Sequence, residues 1–314
     1  MPRTDFSGTI VDLVTPFRSG ELDQAGLSLL LEWQIQCGIE GLLVCGEAGE
    51  SHCLSMEERQ TVIATAVEVA RGRVPVLVGV VANCTDKAIV LVEQARAARA
   101  DGVVLTLPYY NKPAREGVLR HVTAVSLRAG LPVLVLSRPA ASMMPIDAAF
   151  VAQLRGLPNL CGIVDCGPDP FHAIAEYGDD AAGLGLFYGD DQAGSASCAG
   201  AAGFVSWIAN VSPRLATSLH HAASGGNLKA ARLLHSRLTP LFDAMKRDHP
   251  VSTLKQALAY VFGIDAQVRL PLLPVESQNL PELRQALSLV GLSTDLSFLS
   301  AVAIASGGGL RCRL

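Results

Sequence analysis

The side chains able to do chemistry are few and unevenly placed. Amines come first, because an unprotonated lysine in a pocket that lowers its pKa can attack a carbonyl and hold it as a Schiff base. The chain has five lysines: Lys87, Lys112, Lys229, Lys246 and Lys255. Only Lys112 directly follows a predicted strand; the others fall on predicted helices. Acids are better placed. Asp12 interrupts the apolar run 9–17, Glu47 lies in a glycine-rich turn, Asp165 stands near the end of the run 160–167, and Asp190-Asp191 follow another short run. Cys166 is two residues beyond Val164, hence on the same side of that strand. As a nucleophile it would need a positive neighbour to favour the thiolate. None is visible in the sequence, so a small core-filling thiol is expected. Metal-assisted chemistry on a carbonyl would want histidines at converging strand ends. His52 follows one strand and His172 another, while His121, His220, His221, His235 and His249 lie on predicted helices or their ends. No metal site and no cofactor are expected.

Composition narrows the classes. Of 314 residues, 50% are hydrophobic and 17% charged, enough for a sizeable core. A net charge of −4 gives no electrostatic footprint for nucleic acid. The apolar runs have strand length and are broken by Gly or Pro, so no membrane span is predicted. Residues 1–8 lack the basic start and apolar stretch of a signal peptide. The eight cysteines are scattered, with no Cys-x-x-Cys pair. Free thiols in a reducing cytoplasm are expected rather than disulfides or zinc.

The elements that must position these residues alternate between strand and helix. Strands are predicted at 9–17, 41–45, 74–81, 102–107, 132–137, 160–167, 185–189 and 203–208. Helices fall between them at 22–37, 55–71, 85–99, 114–128, 146–154, 171–176 and 193–199, and 212–223 closes the series. Ser55-Met56-Glu57-Glu58 reads as a capping box. Ser212-Pro213 reads as a cap with proline at the first helical position. Eight such units point to an α/β fold, a (β/α)8 TIM barrel. No Gly-x-Gly-x-x-Gly follows any strand, which argues against a doubly wound sheet. Past Gly225-Gly226 the pattern turns purely helical, at 228–247, 252–262 and 281–290. The expected organisation is a barrel over 1–225, a small three-helix C-terminal domain over 226–292, and a loosely ordered tail over 293–314.

Several motifs carry a resemblance. Val14-Thr15-Pro16-Phe17, Gly46-x-x-Gly49-Glu50-Ser51 and Pro108-Tyr109-Tyr110-Asn111-Lys112-Pro113 resemble the dihydrodipicolinate synthase / N-acetylneuraminate lyase family. Gly189-Asp190-Asp191 and Gly203-Phe204-Val205-Ser206-x-x-Ala209-Asn210-Val211 are similar to its later motifs, in the same order, so the resemblance spans nearly the whole chain. It implies a TIM barrel with a three-helix C-terminal domain, assembled as a homodimer or homotetramer. It also implies aldol cleavage or condensation of 2-oxo acids through a lysine Schiff base.

Position by position, the implied chemistry is mostly missing. The family's lysine position is Val164, in Gly162-Ile163-Val164-Asp165. Its proton-relaying tyrosine falls on Leu136, and its substrate-binding arginine beyond Pro139 falls on Ala141. The hydroxyl pair that holds the pyruvate carboxylate is replaced by Glu47 and Ala48. Tyr110, which the family lends to a neighbouring subunit, is present. So are Gly189, and Val205 where a main-chain carbonyl would face the substrate. Asp12 stands where a small residue is usual. The resemblance also makes Asp190-Asp191 a structural pair and Lys112 an ordinary loop lysine. A carboxylate such as Glu47 about 4 Å from a bound carboxylate costs roughly 4 kcal/mol at a surface-like dielectric. The pocket set is therefore Asp12, Glu47, Ala48, Tyr110, Leu136, Ala141, Val164, Cys166, Gly189 and Val205, with no catalytic residue assigned among them. If inward-facing, Asp12 with Glu47 and Tyr110 would make an acidic pocket for a cation, an amine or a metal. Alternatively, Asp12 accepts hydrogen bonds within the barrel and Glu47 points to solvent. The expected protein is lyase-like without Schiff-base activity, a small-ligand-binding or regulatory pseudoenzyme. A lyase with lysine-independent chemistry on a small carbonyl or amine is the alternative.

Overall fold

The structure, a computed structural model, describes residues 6–144, 146–167, 183–189 and 200–292. Eight parallel strands close into a barrel: β1 Gly8–Asp12, β4 Gly41–Val44, β5 Val76–Val80, β6 Gly102–Thr106, β7 Val133–Ser137, β8 Leu160–Asp165, β9 Gly185–Tyr188 and β10 Gly203–Ser206. Their order around the barrel follows the chain, with β10 returning to β1. The two-residue strands β2 Phe17–Arg18 and β3 Glu21–Leu22 form a small antiparallel ribbon in the first loop. The sequence reads as apolar runs because both faces of each strand are covered. Ile10, Leu43, Leu77, Val104, Leu134, Val164 and Phe187 point inward and fill the barrel. Their neighbours, such as Val11, Leu42, Val78, Val103 and Ile163, pack outward into the main hydrophobic core.

The helices over that outer face are α1 Gln24–Gln36, α2 Met56–Ala70, α3 Thr85–Ala97, α4 Arg115–Ala129, α6 Ala148–Leu154 and α7 Pro213–Ser224. The capping box forms: Ser55 Oγ accepts from the Glu58 N–H at 3.1 Å, and Glu58 accepts from the Ser55 N–H at 2.9 Å. A short helix the sequence did not announce, α5 Pro139–Ser142, follows β7 directly. The predicted helices 171–176 and 193–199, Asp190-Asp191 and the 293–314 tail lie outside the described residues. All three helices expected past the barrel are present, as α8 Leu228–Met245, α9 Pro250–Phe262 and α10 Leu280–Leu289.

Two expectations change. The first strand ends at Asp12 rather than near Phe17, because Asn210 takes over the backbone beyond it. Its Nδ2 donates to the Asp12 carbonyl at 2.7 Å, and its Oδ1 accepts from the Val14 N–H at 3.0 Å. Asp12 therefore sits at the barrel mouth, not in mid-strand. Cysteines 45, 53, 84, 161 and 166 are free thiols, but Cys37 is disulfide-bonded.

A buried ion pair fixes the C-terminal segment over the mouth. Lys255 of α9 pairs with Glu50 in the loop after β4, both nearly devoid of exposure. Glu50 also accepts from the Arg269 N–H at 2.8 Å, and Arg269 pairs with Glu58. Lys255 Nζ and the Arg269 guanidinium each lie 4.1 Å from the Phe17 ring centroid. Such a pair is weak evidence for net stability, since desolvation offsets attraction, but removing one partner strands a charge. Its consequence here is placement, because it ties α9 to the loop after β4 at the strand ends. Among the described residues no helix is long and apolar enough to cross a membrane.

Candidate functional site

At the C-terminal ends of the strands, where barrel enzymes carry their chemistry, a cavity of about 420 Å³ opens between the barrel and the α8–α9 connection. Residues at or just past the ends of β1, β7, β8, β9 and β10 line it. Leu136 comes from β7, Cys166 follows β8, Gly189 follows β9, and Val205 in β10 is followed two residues later by Trp207. Phe242, Met245 and Lys246 close the outer side from α8.

Asp12 forms part of the cavity wall. Its Oδ2 accepts from the Trp207 Nε1–H at 2.9 Å and from the Ala48 N–H at 3.2 Å. Its Oδ1 has no partner among the described residues. Gly46 makes room for this carboxyl: a Cβ there would stand 2.1 Å from Oδ1. Burial pushes the Asp12 carboxyl up to about 7, with Glu47 adding to the rise and the bonds to Ala48 and Trp207 and the charge of Arg138 working against it. A buried acid titrating there can hold or release a proton near neutrality.

Arg138 is the residue the sequence reading missed. It follows β7 directly and caps α5. Its Nε–H donates to Glu47 Oε2 at 2.8 Å, and its guanidinium lies 5.1 Å from the Trp207 ring centroid. Burial works against its charge, but Cys166, Glu47 and Asp12 outweigh that and hold it above its ordinary range. Glu47 is thus neither turned to solvent nor a bare negative charge in an acidic pocket. Its charge is paired with Arg138, which lessens but does not abolish the penalty for a second carboxylate. Cys166, expected to have no positive neighbour and to fill core, is only partly buried, on the cavity wall with Arg138 beside it.

The structure brings five of the ten pocket candidates to the cavity itself: Asp12, Leu136, Cys166, Gly189 and Val205. Glu47 and Ala48 stand behind them, one bonded to Arg138 and the other to Asp12. Val164 lies beneath, wholly buried, in register with Leu136 on one side and Phe187 on the other. Ala141 sits in α5 away from the cavity, and Tyr110 is 82% exposed on the loop after β6. That loop is held by Asn83, whose Oδ1 accepts from the Tyr109 N–H at 2.9 Å. Lys246 reaches the cavity rim from α8, an approach no loop-based reading anticipates, and lies 3.8 Å from Asp243. Lys112 is exposed. Among the described residues, no group of three or more His, Cys, Asp or Glu is arranged to hold a metal ion.

Comparison with known proteins agrees with this architecture. A profile of the dihydrodipicolinate synthetase family matches residues 5–290. The 4-hydroxy-tetrahydrodipicolinate synthase of Acidiphilium cryptum is 39% identical over 293 residues, covering 91% of this chain and 99% of its own. The crystal structure of dihydrodipicolinate synthase from Thermotoga maritima superposes with a TM-score of 0.87 at 31% identity, over 91% of this chain and 99% of that one. A structure described as the first monomeric dihydrodipicolinate synthase variant superposes at 0.88, also at 31% identity, over 93% of this chain and 99% of that one. The matches span nearly the whole length on both sides, and the chain belongs to the dihydrodipicolinate synthetase family.

Proposed function

We propose that this family member binds a small ligand in the barrel mouth without forming a Schiff base, and acts as a binding or regulatory protein. The observation that carries this reading is Val164. An alkyl side chain cannot form a carbinolamine, and this one is packed in the barrel interior among Ile10, Leu136, Phe187 and Val205. The same face of β7 offers Leu136, which cannot relay a proton. Treatment with pyruvate and borohydride, followed by intact-mass measurement and peptide mapping, should leave the chain unmodified. A reduced pyruvyl adduct on any lysine, Lys112 and Lys246 included, would sink the reading.

One observation favours a second reading, a lyase with lysine-independent chemistry: Asp12 is a buried acid titrating near neutrality on the cavity wall. Following a panel of small carbonyl and amine compounds by NMR with the full chain decides it, since turnover would establish a lyase and its absence leaves the binding protein. A homo-oligomeric assembly belongs to the same proposal, with the exposed Tyr109-Tyr110 loop at the contact and the protein in the cytoplasm. Light scattering showing a monomer at micromolar concentration would remove the assembly.

A further inference from the structure

We propose that the barrel mouth takes small carboxylic acids with an apolar body, held non-covalently by the outer edge of the Arg138 guanidinium, with the neighbouring Glu47 charge limiting their affinity. This rests on the reading that the mouth binds its ligand without a Schiff base.

Arg138 leaves most of its donors unused. Glu47 takes only its Nε–H, at 2.8 Å. Among the described residues nothing hydrogen-bonds to Nη1 or Nη2, and neither belongs to the buried polar atoms lacking a partner, so both open toward solvent or the cavity that Arg138 lines. The Trp207 ring lies against the guanidinium, its centroid 5.1 Å from the central carbon. What remains is the in-plane fork, two parallel N–H groups spaced to match a carboxylate. A second polar fixture faces the same space. Asp12, 2% exposed, lines the cavity, and its Oδ1 has no partner among the described residues.

The rest of the wall selects the body of the ligand. Leu136, Val205 and Trp207 form the barrel side, and Phe242, Met245 and Pro250 the helical side. The remaining charges, Lys246 and Asp248, stand with opposite signs on the same helical side. A volume of about 420 Å³ accommodates a small molecule of this kind. One anion-binding fork above an apolar floor fits an acid with an aromatic or branched aliphatic body better than a short polar acid, whose hydroxyl or carbonyl groups would lose water against hydrocarbon. Glu47, bonded on the far side of the same guanidinium, neutralises part of its charge and repels an incoming anion. Replacing it by glutamine keeps an acceptor for Nε–H and removes the repulsion.

Isothermal titration calorimetry on the full chain tests this with three probes: phenylacetate, its neutral isostere phenylacetamide, and acetate. Phenylacetate should bind best. E47Q should tighten phenylacetate by about tenfold, and R138Q should weaken it by about tenfold or more, the range expected for a hydrogen bond to a charged group. Phenylacetamide should respond to neither change. A folding defect can only weaken binding, so tightening by E47Q is a result that misfolding cannot imitate. The proposal is overturned if phenylacetate shows no binding at millimolar concentration, if the amide binds as well as the acid, if acetate binds as well as phenylacetate, or if E47Q fails to tighten. A pyruvyl adduct after borohydride would instead sink the non-covalent reading on which this rests, whereas equal binding of acid and amide sinks only the anion fork.

Discussion

Replacing Asp12 by asparagine should change how stability depends on pH more than it changes stability itself. Burial raises this carboxyl from an ordinary value of 3.8 to about 7. Below the ordinary value the acid is protonated whether the chain is folded or not, and ionisation contributes no difference. As pH rises toward 7 the unfolded chain ionises and the folded chain does not, so folding becomes progressively less favourable, and above 7 the loss is complete. The rise from 3.8 to about 7 corresponds to roughly 4 kcal/mol. The other groups facing Asp12 bear on the window: Glu47 and Arg138 form a pair, and burial pushes the Cys45 thiol up to about 11. The asparagine side chain would keep an oxygen for the Trp207 and Ala48 donors but could not ionise. Denaturant titrations of both proteins between pH 4.5 and 8 should therefore diverge, the wild type losing roughly 3–4 kcal/mol relative to D12N across the range. Trp207, one of two tryptophans, donates to Asp12 and supplies a direct reporter. Its fluorescence should titrate with a midpoint near 7 in the wild type and stay flat in D12N. Parallel stability curves and no fluorescence step would refute the buried, proton-holding acid.

Three further perturbations test the frame around the site. V164K should yield no lyase activity and lower stability by about 3 kcal/mol or more, because the amine would be buried among hydrocarbon with Leu136 as its cross-strand neighbour; pyruvate turnover by V164K, followed by product assay, would contradict this. G46A should cost about 1–3 kcal/mol in chemical denaturation, since its Cβ would collide with the Asp12 carboxyl. The D12A/G46A double variant should recover most of that loss, and failure to recover would place the strain elsewhere. K255M strands Glu50 in the interior and should cost about 3–5 kcal/mol, measured by thermal unfolding, whereas E50Q/K255M should be milder than K255M alone.

The barrel was legible because its signal is local and repeated. Eight apolar runs, separated by caps such as Ser55 and turns such as Gly38, leave one closed parallel sheet as the arrangement that buries both faces of every strand. Val164 came from the resemblance, which sets it at the family's lysine position. Alternation alone, in a run apolar on both faces, does not say which side turns inward, and the structure places Val164 inside the barrel. The polar side of the mouth was not legible, because it depends on which charges meet across the barrel. Asp12, Glu47, Arg138 and Trp207 come from four different strand ends, and the α8–α9 residues arrive by tertiary docking that no local pattern records. Arg138 precedes Pro139, whereas the resemblance directed attention to position 141 beyond it. One physical signal in the sequence did point to it. An acid such as Glu47 at a half-buried loop position demands a cation, and the loops that follow the barrel strands supply only Arg18, Lys112 and Arg138. Arg18 is spent on Asp23, 3.0 Å away, and Lys112 is exposed. Charge balance across the strand ends, taken as a requirement rather than an afterthought, leaves Arg138 as the partner. It turns a mouth that reads as repelling carboxylates into one with a guanidinium fork to hold them.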